Sequence, residues 1–469
     1  MLGFCYFREN RSSSGDDMRQ SPSALQTDFY ELTMAAVYHQ EGLEARATFS
    51  LFAHRLPPNR GYMVAAGLEE ALDYLEGFRF TGEELDYLDG LGRFRPEFLD
   101  RLARTRFTGE VWALPEGTVC FAEEPLLEVT APLIEAQLVE TCLINLVNLH
   151  TTLTSKAARC TAAAGGRACV DFSLRRCQGL EGGRAAARAS AVAGFAGTSN
   201  VAAARELGFR PVGTMAHSFV EAFGDEGRAF RAFAELFPDH TVTLVDTYDP
   251  VGGLERSVEL ARELRASGHE LVGIRLDSGD LVELAGRARS MLDAAGLESV
   301  QVVISGSLDE HRIALLLAAG AEVDLFAVGT KLGSSADAPY LDLAYKLVHY
   351  DGRPTLKLSK GKESLVAPKQ IWRRLDDRGR LAGDLLGLRE EENPGEPLLA
   401  PVMAQGRRLG PRQGWREARQ RLQVELERLP AGAKALEAPQ RVAVEVSPAL
   451  AALQDQTRTE TAAWQPAIA

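Results

Sequence analysis

No run of about 18 apolar residues, the length of a membrane-crossing helix, occurs in the chain. The opening Met1–Phe7 is apolar, but it is too short and lacks the charged head of a signal peptide. It leads into Arg11-Ser12-Ser13-Ser14-Gly15-Asp16-Asp17, so residues 1–22 are expected to form a disordered extension, with Met18 as an alternative start. A cytoplasmic location is expected. A basic excess is also missing: 52 Lys and Arg stand against 65 Asp and Glu, a formal charge of −13. That balance disfavours non-specific nucleic-acid binding but leaves room for a locally basic pocket that takes an anion. Cysteine is sparse. The six residues Cys5, Cys120, Cys142, Cys160, Cys169 and Cys177 contain no C-x-x-C pair, which removes support for a zinc or thioredoxin-type site. Free buried thiols are the expectation in a chain of this size without a secretion signal. There is no internal repeat and no long low-complexity tract. What remains is an ordinary globular balance, 45% hydrophobic and 25% charged.

Two patterns divide the chain. Residues 23–130 mix helices with short strands. Gln26–Tyr38 has helical spacing, Ala47–Ala53 reads as a strand, and Pro115, Gly117 and Pro125 punctuate further short strands. Ile134–Ala164 reads as one long helix or two. Residues 131–349 then alternate strands with amphipathic helices. The predicted strands are Ala168–Leu174, Pro211–Ala216, Thr241–Thr247, Leu271–Asp277, Val300–Ser305 and Val323–Val328. Such alternation implies parallel strands joined by right-handed crossovers, and six units favour an α/β barrel over an open sheet. Residues 350–400 return to short strands that pack back on the first domain. Residues 401–469 are expected to be a charged, helical C-terminal region.

The apolar strand runs end in small, polar or charged residues, and parallel strands gather those ends on one rim. Ser305-Gly306-Ser307 precedes a helix predicted to begin near Leu308. Free backbone amides there can hold an anion, although a plain helix cap is the alternative. Gly329-Thr330 repeats the arrangement one strand on, so the two turns together suggest a phosphate cradle. Neither has the spacing of a Walker A loop. Arg175 and Arg176 are adjacent at a predicted strand end and therefore point to opposite sides. Arg275 closes a buried strand and needs a carboxylate, a phosphate or an aromatic face as partner. Asp277 and Asp280 offer that pairing, or contacts to ribose hydroxyls or magnesium. His217 is either structural or a nucleophile toward a phosphoryl group. Asp246 and Asp249 can hold magnesium or fix His217, while Asp249-Pro250 also reads as a helix start.

Taken in order, these segments resemble the nicotinate phosphoribosyltransferase family over residues 25 to 375. The carriers are Thr27-Asp28-Phe29-Tyr30, Glu140-Thr141, Ser155-Lys156-Ala157-Ala158-Arg159, Asp171 through Gly179, Gly197-Thr198-Ser199-Asn200, Gly213 through Phe219, Arg275 through Asp280, and Gly329-Thr330. The resemblance implies a type II phosphoribosyltransferase fold, an irregular α/β barrel beside a mixed α+β N-terminal domain. It implies homodimers with shared active sites, and NAD salvage with nicotinate, phosphoribosyl pyrophosphate and ATP as substrates and Mg2+ as cofactor. It implies that ATP phosphorylates His217, that Tyr30, Thr214 and Arg275 contact nicotinate, that Thr330 contacts the ribosyl phosphate, and that Arg175 or Arg176 steadies substrate. Nicotinamide-using relatives carry aspartate where Ser199 stands. Aspartate repels a carboxylate, so Ser199 favours nicotinate. Ser173, His150 and Leu180-Glu181-Gly182 depart from the family's usual residues. The alternatives are a nicotinamide phosphoribosyltransferase and a catalytically silent nucleotide-binding barrel.

Overall fold

Arg46–Ala53 alternates β-branched and aromatic residues with small ones, and all but its first residue is buried. In the computed structural model, which describes residues 23–359 and 363–463, this strand is central to a seven-stranded antiparallel sheet. Leu343–Tyr350 flanks it on one side and Pro125–Pro132 on the other. Glu110–Ala113, Ala400–Ala404 and Arg407–Arg408 extend the sheet beyond Pro125–Pro132, and Arg353–Pro354 ends it on the opposite edge. The sheet is thus assembled from three widely separated stretches of chain. The region after residue 400 is therefore not purely helical as expected. Besides helices Trp415–Arg428 and Pro448–Ala463, it supplies two strands to this sheet and a third, Val444–Val446, to a smaller one. Residues 1–22 lie outside the described residues.

The second sheet has six parallel strands in the order Gly197–Thr198, Ala168–Asp171, Leu325–Val328, Gln301–Ile304, Gly273–Leu276 and Val242–Leu244. It forms a half-barrel, with Gly197–Thr198 at one edge and Val242–Leu244 at the other. Its strands are nearly continuous apolar runs because helices cover them, as parallel sheets require. Its helices begin on side-chain caps: Asn200, Asp225, Asp249, Asp280 and Asp309 each accept a backbone N–H from the first turn. The predicted Ile134–Ala164 helix is two, Leu133–Leu138 and Glu140–Ala163.

Three expectations are corrected here. The strand predicted as Ala168–Leu174 stops at Asp171, and Leu174–Arg176 is a single 3-10 turn. Pro211–Ala216 is no strand; only Pro211 bridges, to Thr198. Glycine at 213 and the lack of a covering partner leave that segment as a loop. The helix after Ser305 starts at Glu310 rather than Leu308, because Asp309 is the residue whose carboxylate caps it. Among the described residues, no helix is long and apolar enough to cross a membrane.

Candidate active site

The rim begins with Asp171, the last residue of its strand and fully buried. Its carboxylate accepts from the Ser173 amide at 2.8 Å and the Thr198 hydroxyl at 2.6 Å. Burial pushes its pKa up, against those hydrogen bonds. The bonds pin the turn that presents Phe172. The Arg275 guanidinium lies over the Phe172 ring, 5.9 Å from its centroid. Arg275 donates through Nη1 to the Thr214 hydroxyl and to the Met215 carbonyl, while its buried Nε has no partner among the described residues. Burial lowers its pKa, opposed by Asp277 and Asp246 and assisted by Arg175. A guanidinium with an unused donor over an aromatic face is arranged for a planar anion.

His217 opens the helix His217–Phe223 rather than ending a strand. Its Nδ1 lies 3.1 Å from the Thr247 hydroxyl, and its Nε2 lies 3.9 Å from Asp277 Oδ2. The other Asp277 oxygen accepts from Ser305 Oγ at 2.5 Å. Asp246 Oδ2 accepts from the Asp277 amide at 3.0 Å and from Ser278 Oγ at 2.6 Å, and its Oδ1 is buried without a partner. Three strand ends and the start of helix His217–Phe223 thus lock into one network running Thr247, His217, Asp277, Ser305. Gly306 has φ +87°, and a Cβ there would sit 2.1 Å from the Asp277 carbonyl oxygen. Only glycine lets this turn close on its neighbour.

Other predicted residues fall differently. Asp249 and Asp280 are committed as helix caps, Asp249 to the Gly252 amide at 2.9 Å and Asp280 to Val282 and Glu283. Each cap uses one carboxylate oxygen, and at Asp249 it is the helix start that Asp249-Pro250 also offered in sequence. Arg175 and Arg176 are both exposed on the 3-10 turn and do not alternate across a strand. Ser199 is half-buried beside the Asp171 strand, and its amide donates to the Asp171 carbonyl at 2.7 Å. Gly329 leads into the short helix Thr330–Gly333. Tyr30 belongs to the first domain. It is 48% exposed, and its hydroxyl donates to Glu140 at 3.5 Å, outside the rim network among the described residues. Burial, then neighbouring Glu31, raises the Glu140 pKa to about 7.

Three contributors were not singled out in the sequence. Phe172 lies inside the predicted strand Ala168–Leu174 and in a segment that carries the family resemblance, with no role assigned to it. Thr247 sat unremarked between Asp246 and Asp249. Lys331, next to Thr330, pairs with Asp309 at 2.8 Å and so ties the two suspected anion turns together.

This architecture has close counterparts. The crystal structure of human nicotinic acid phosphoribosyltransferase superposes with a TM-score of 0.82 at 31% identity, covering 92% of this chain and 99% of that one. A nicotinate-nucleotide pyrophosphorylase from Pyrococcus furiosus shares the fold, with a TM-score of 0.72 at 23% identity, covering 89% of this chain and 99% of that one. The half-barrel and its rim are those of a type II phosphoribosyltransferase. Residues 25–148 match the nicotinate phosphoribosyltransferase N-terminal domain, 167–369 the nicotinate phosphoribosyltransferase family and 395–454 its C-terminal domain. A nicotinate phosphoribosyltransferase of Mycobacterium tuberculosis is 51% identical over 392 residues, 84% of this chain and 84% of that protein. One from Bacillus subtilis is 41% identical over 379 residues, 79% of this chain and 77% of that protein. The chain belongs to the nicotinate phosphoribosyltransferase family.

Proposed function

We propose that the enzyme transfers the phosphoribosyl group of phosphoribosyl pyrophosphate to nicotinate in NAD salvage, with ATP hydrolysis coupled through a phosphohistidine at His217. The carrying observation is the placement of His217 on the strand-end rim, Nδ1 on Thr247 and Nε2 facing Asp277, between Arg275 and the Ser305 turn. In the tautomer whose Nδ1 donates to Thr247, Nε2 carries the lone pair that would receive a phosphoryl group, beside Asp277.

In the transfer, the pyridine nitrogen attacks the anomeric carbon and the carbon–oxygen bond to pyrophosphate breaks. The attacking nitrogen carries no proton, so no general base is needed. This chain's residues align the reactants and stabilise charge. Arg275 takes the nicotinate carboxylate, Phe172 gives its ring a face, and Ser199 leaves that end without a competing anion. Ser305, Gly306, Gly329 and Thr330 receive the phosphates. Of the proposed magnesium ligands, Asp249 and Asp280 each spend one oxygen on a helix cap, while Asp246 Oδ1 is buried on the rim with no hydrogen bond among the described residues. One carboxylate fits an ion held mainly by substrate phosphates and water. Mg2+ bound there would neutralise charge on the departing pyrophosphate. The exposed Phe29 and Tyr30 face outward from the first domain, which fits a homodimer in which a second copy's Tyr30 completes the site.

Incubation with γ-labelled ATP should leave an acid-labile label on the wild type and none on His217→Asn, which should also lose nicotinate-dependent ATP hydrolysis. A normal label on the variant would move the phosphoryl acceptor elsewhere. Turnover with nicotinamide equal to that with nicotinate would favour the amide-using alternative.

A further inference from the structure

The Ser155-Lys156-Ala157-Ala158-Arg159 segment lies on the long helix Glu140–Ala163, behind the rim, and none of the chemistry above uses it. Its two cations are almost wholly buried. Lys156 is 0% exposed and Arg159 1%. Lys156 Nζ reaches Glu310 Oε2 at 2.5 Å and Asp337 Oδ1 at 2.6 Å. Arg159 Nε donates to the other Glu310 oxygen at 2.9 Å, and Arg60 pairs with Asp337 at 2.9 Å.

The two carboxylates that Lys156 joins come from the two suspected phosphate turns. Glu310 is the first residue of the helix that follows Ser305–Asp309. Asp337 lies in the loop that follows Gly329 and the short helix Thr330–Gly333. At the outer side, Asp309 and Lys331 make the same connection a second time. Glu310, His311 and Asp337 bring ligand atoms within 4.8 Å of one another, the spacing of a cation site, and Lys156 is the cation that Glu310 and Asp337 already hold.

The charge does not balance. Arg60, Lys156 and Arg159 stand against Glu310 and Asp337, nearby Asp309 is itself matched by Lys331, and Arg159 Nη1 is buried with no hydrogen-bond partner among the described residues. Both carboxylates stay ionised: burial works to raise them, but Lys156 on Glu310, and Arg60 with Lys156 on Asp337, hold them low. One net positive charge therefore sits in a poorly screened interior beneath both turns, where its field reaches further than it would in water.

We infer that Lys156 is a positioning residue for phosphoribosyl pyrophosphate: it fixes the spacing of the Ser305–Asp309 and Gly329–Asp337 turns and, with the surplus charge around it, draws the polyanion onto them. The inference rests on the reading of those turns as phosphate sites. It separates the two substrates, because nicotinate is held by Arg275 and Phe172 on other strands.

Lys156→Met keeps most of the side-chain length and removes the charge. Its KM for phosphoribosyl pyrophosphate should rise about tenfold or more, while KM for nicotinate stays within about twofold. Calorimetric binding of pyrophosphate, a probe that needs no turnover, should weaken in parallel, and Lys156→Arg should recover part of that affinity. Arg159→Met removes the same unit of positive charge from the cluster and one of its ties to Glu310. It should show the same split if Lys156→Met does not fold. Unchanged pyrophosphate affinity in Lys156→Met or Arg159→Met, or equal rises in both KM values, would overturn the inference while wild-type turnover keeps the transferase reading intact. A wild type that does not join nicotinate to phosphoribosyl pyrophosphate removes both.

Discussion

At the scale of single residues, the site depends on planar recognition and on the absence of a charge. Arg275 combines a ring contact with a fork of donors, one of which is buried and unused. A lysine supplies a point charge without the plane, so Arg275→Lys should lower kcat/KM for nicotinate roughly a hundredfold, the scale of losing one preorganised donor. Steady-state kinetics measure this, and near-normal values would remove Arg275 from substrate binding. Ser199 acts by what it lacks. Ser199→Asp should erode the preference for nicotinate over nicotinamide, measured as the ratio of the two kcat/KM values, because a carboxylate near the substrate's own carboxylate is repulsive. An unchanged ratio would show that Ser199 does not face that end of the ligand.

At the scale of elements, the strand-to-helix turns carry the chemistry, and their closeness leaves little tolerance. Gly306→Ala combines a strained φ with a Cβ 2.1 Å from the Asp277 carbonyl. It should cost about 1–3 kcal/mol or more and disturb the Asp277 link to His217. The measurement is a lower Tm together with weakened ATP-derived labelling; an unaltered Tm would show that the turn can shift freely. These turns also mark how far sequence could be read. Alternating apolar runs revealed the parallel sheet, since a covered strand is apolar throughout whichever neighbour it has. The ends were legible as polar residues but not as roles. Asp249-Pro250 offers a helix start in sequence, but Asp280 carries no mark that separates it from Asp246, and three-dimensional geometry shows that Asp280 caps a helix while Asp246 braces Asp277 and Ser278. Pro211–Ala216 was misread because a short run of small residues gives no periodicity to separate strand from loop. The Lys156 cluster was invisible because its partners lie more than 150 positions away in the chain and meet only through packing.

At the scale of the molecule, the C-terminal segment binds both cores. Arg373, on strand Lys369–Leu375, pairs with Asp384 at 2.7 Å and with Glu425 of helix Trp415–Arg428, and donates to the Val119 carbonyl at 2.8 Å. Arg373→Met should destabilise the fold by roughly 3–5 kcal/mol, because two buried carboxylates lose their cation. Chemical denaturation checks this, and a loss below about 1 kcal/mol would mean the cluster relaxes or is wetter than it looks. The seven-stranded sheet has a further consequence, which concerns the order in which the protein is made. Strand Arg46–Ala53 is synthesised some three hundred residues before its neighbour Leu343–Tyr350, and Ala400–Ala404 follows later still. Throughout most of synthesis, therefore, the first domain carries open strand edges on a nascent chain whose half-barrel can already close on its own local contacts. The parallel sheet, whose strands lie within residues 168–328, can pair before the antiparallel sheet that starts ahead of it in sequence, and the edge of Arg46–Ala53 stays open to wrong partners until Leu343–Tyr350 is made.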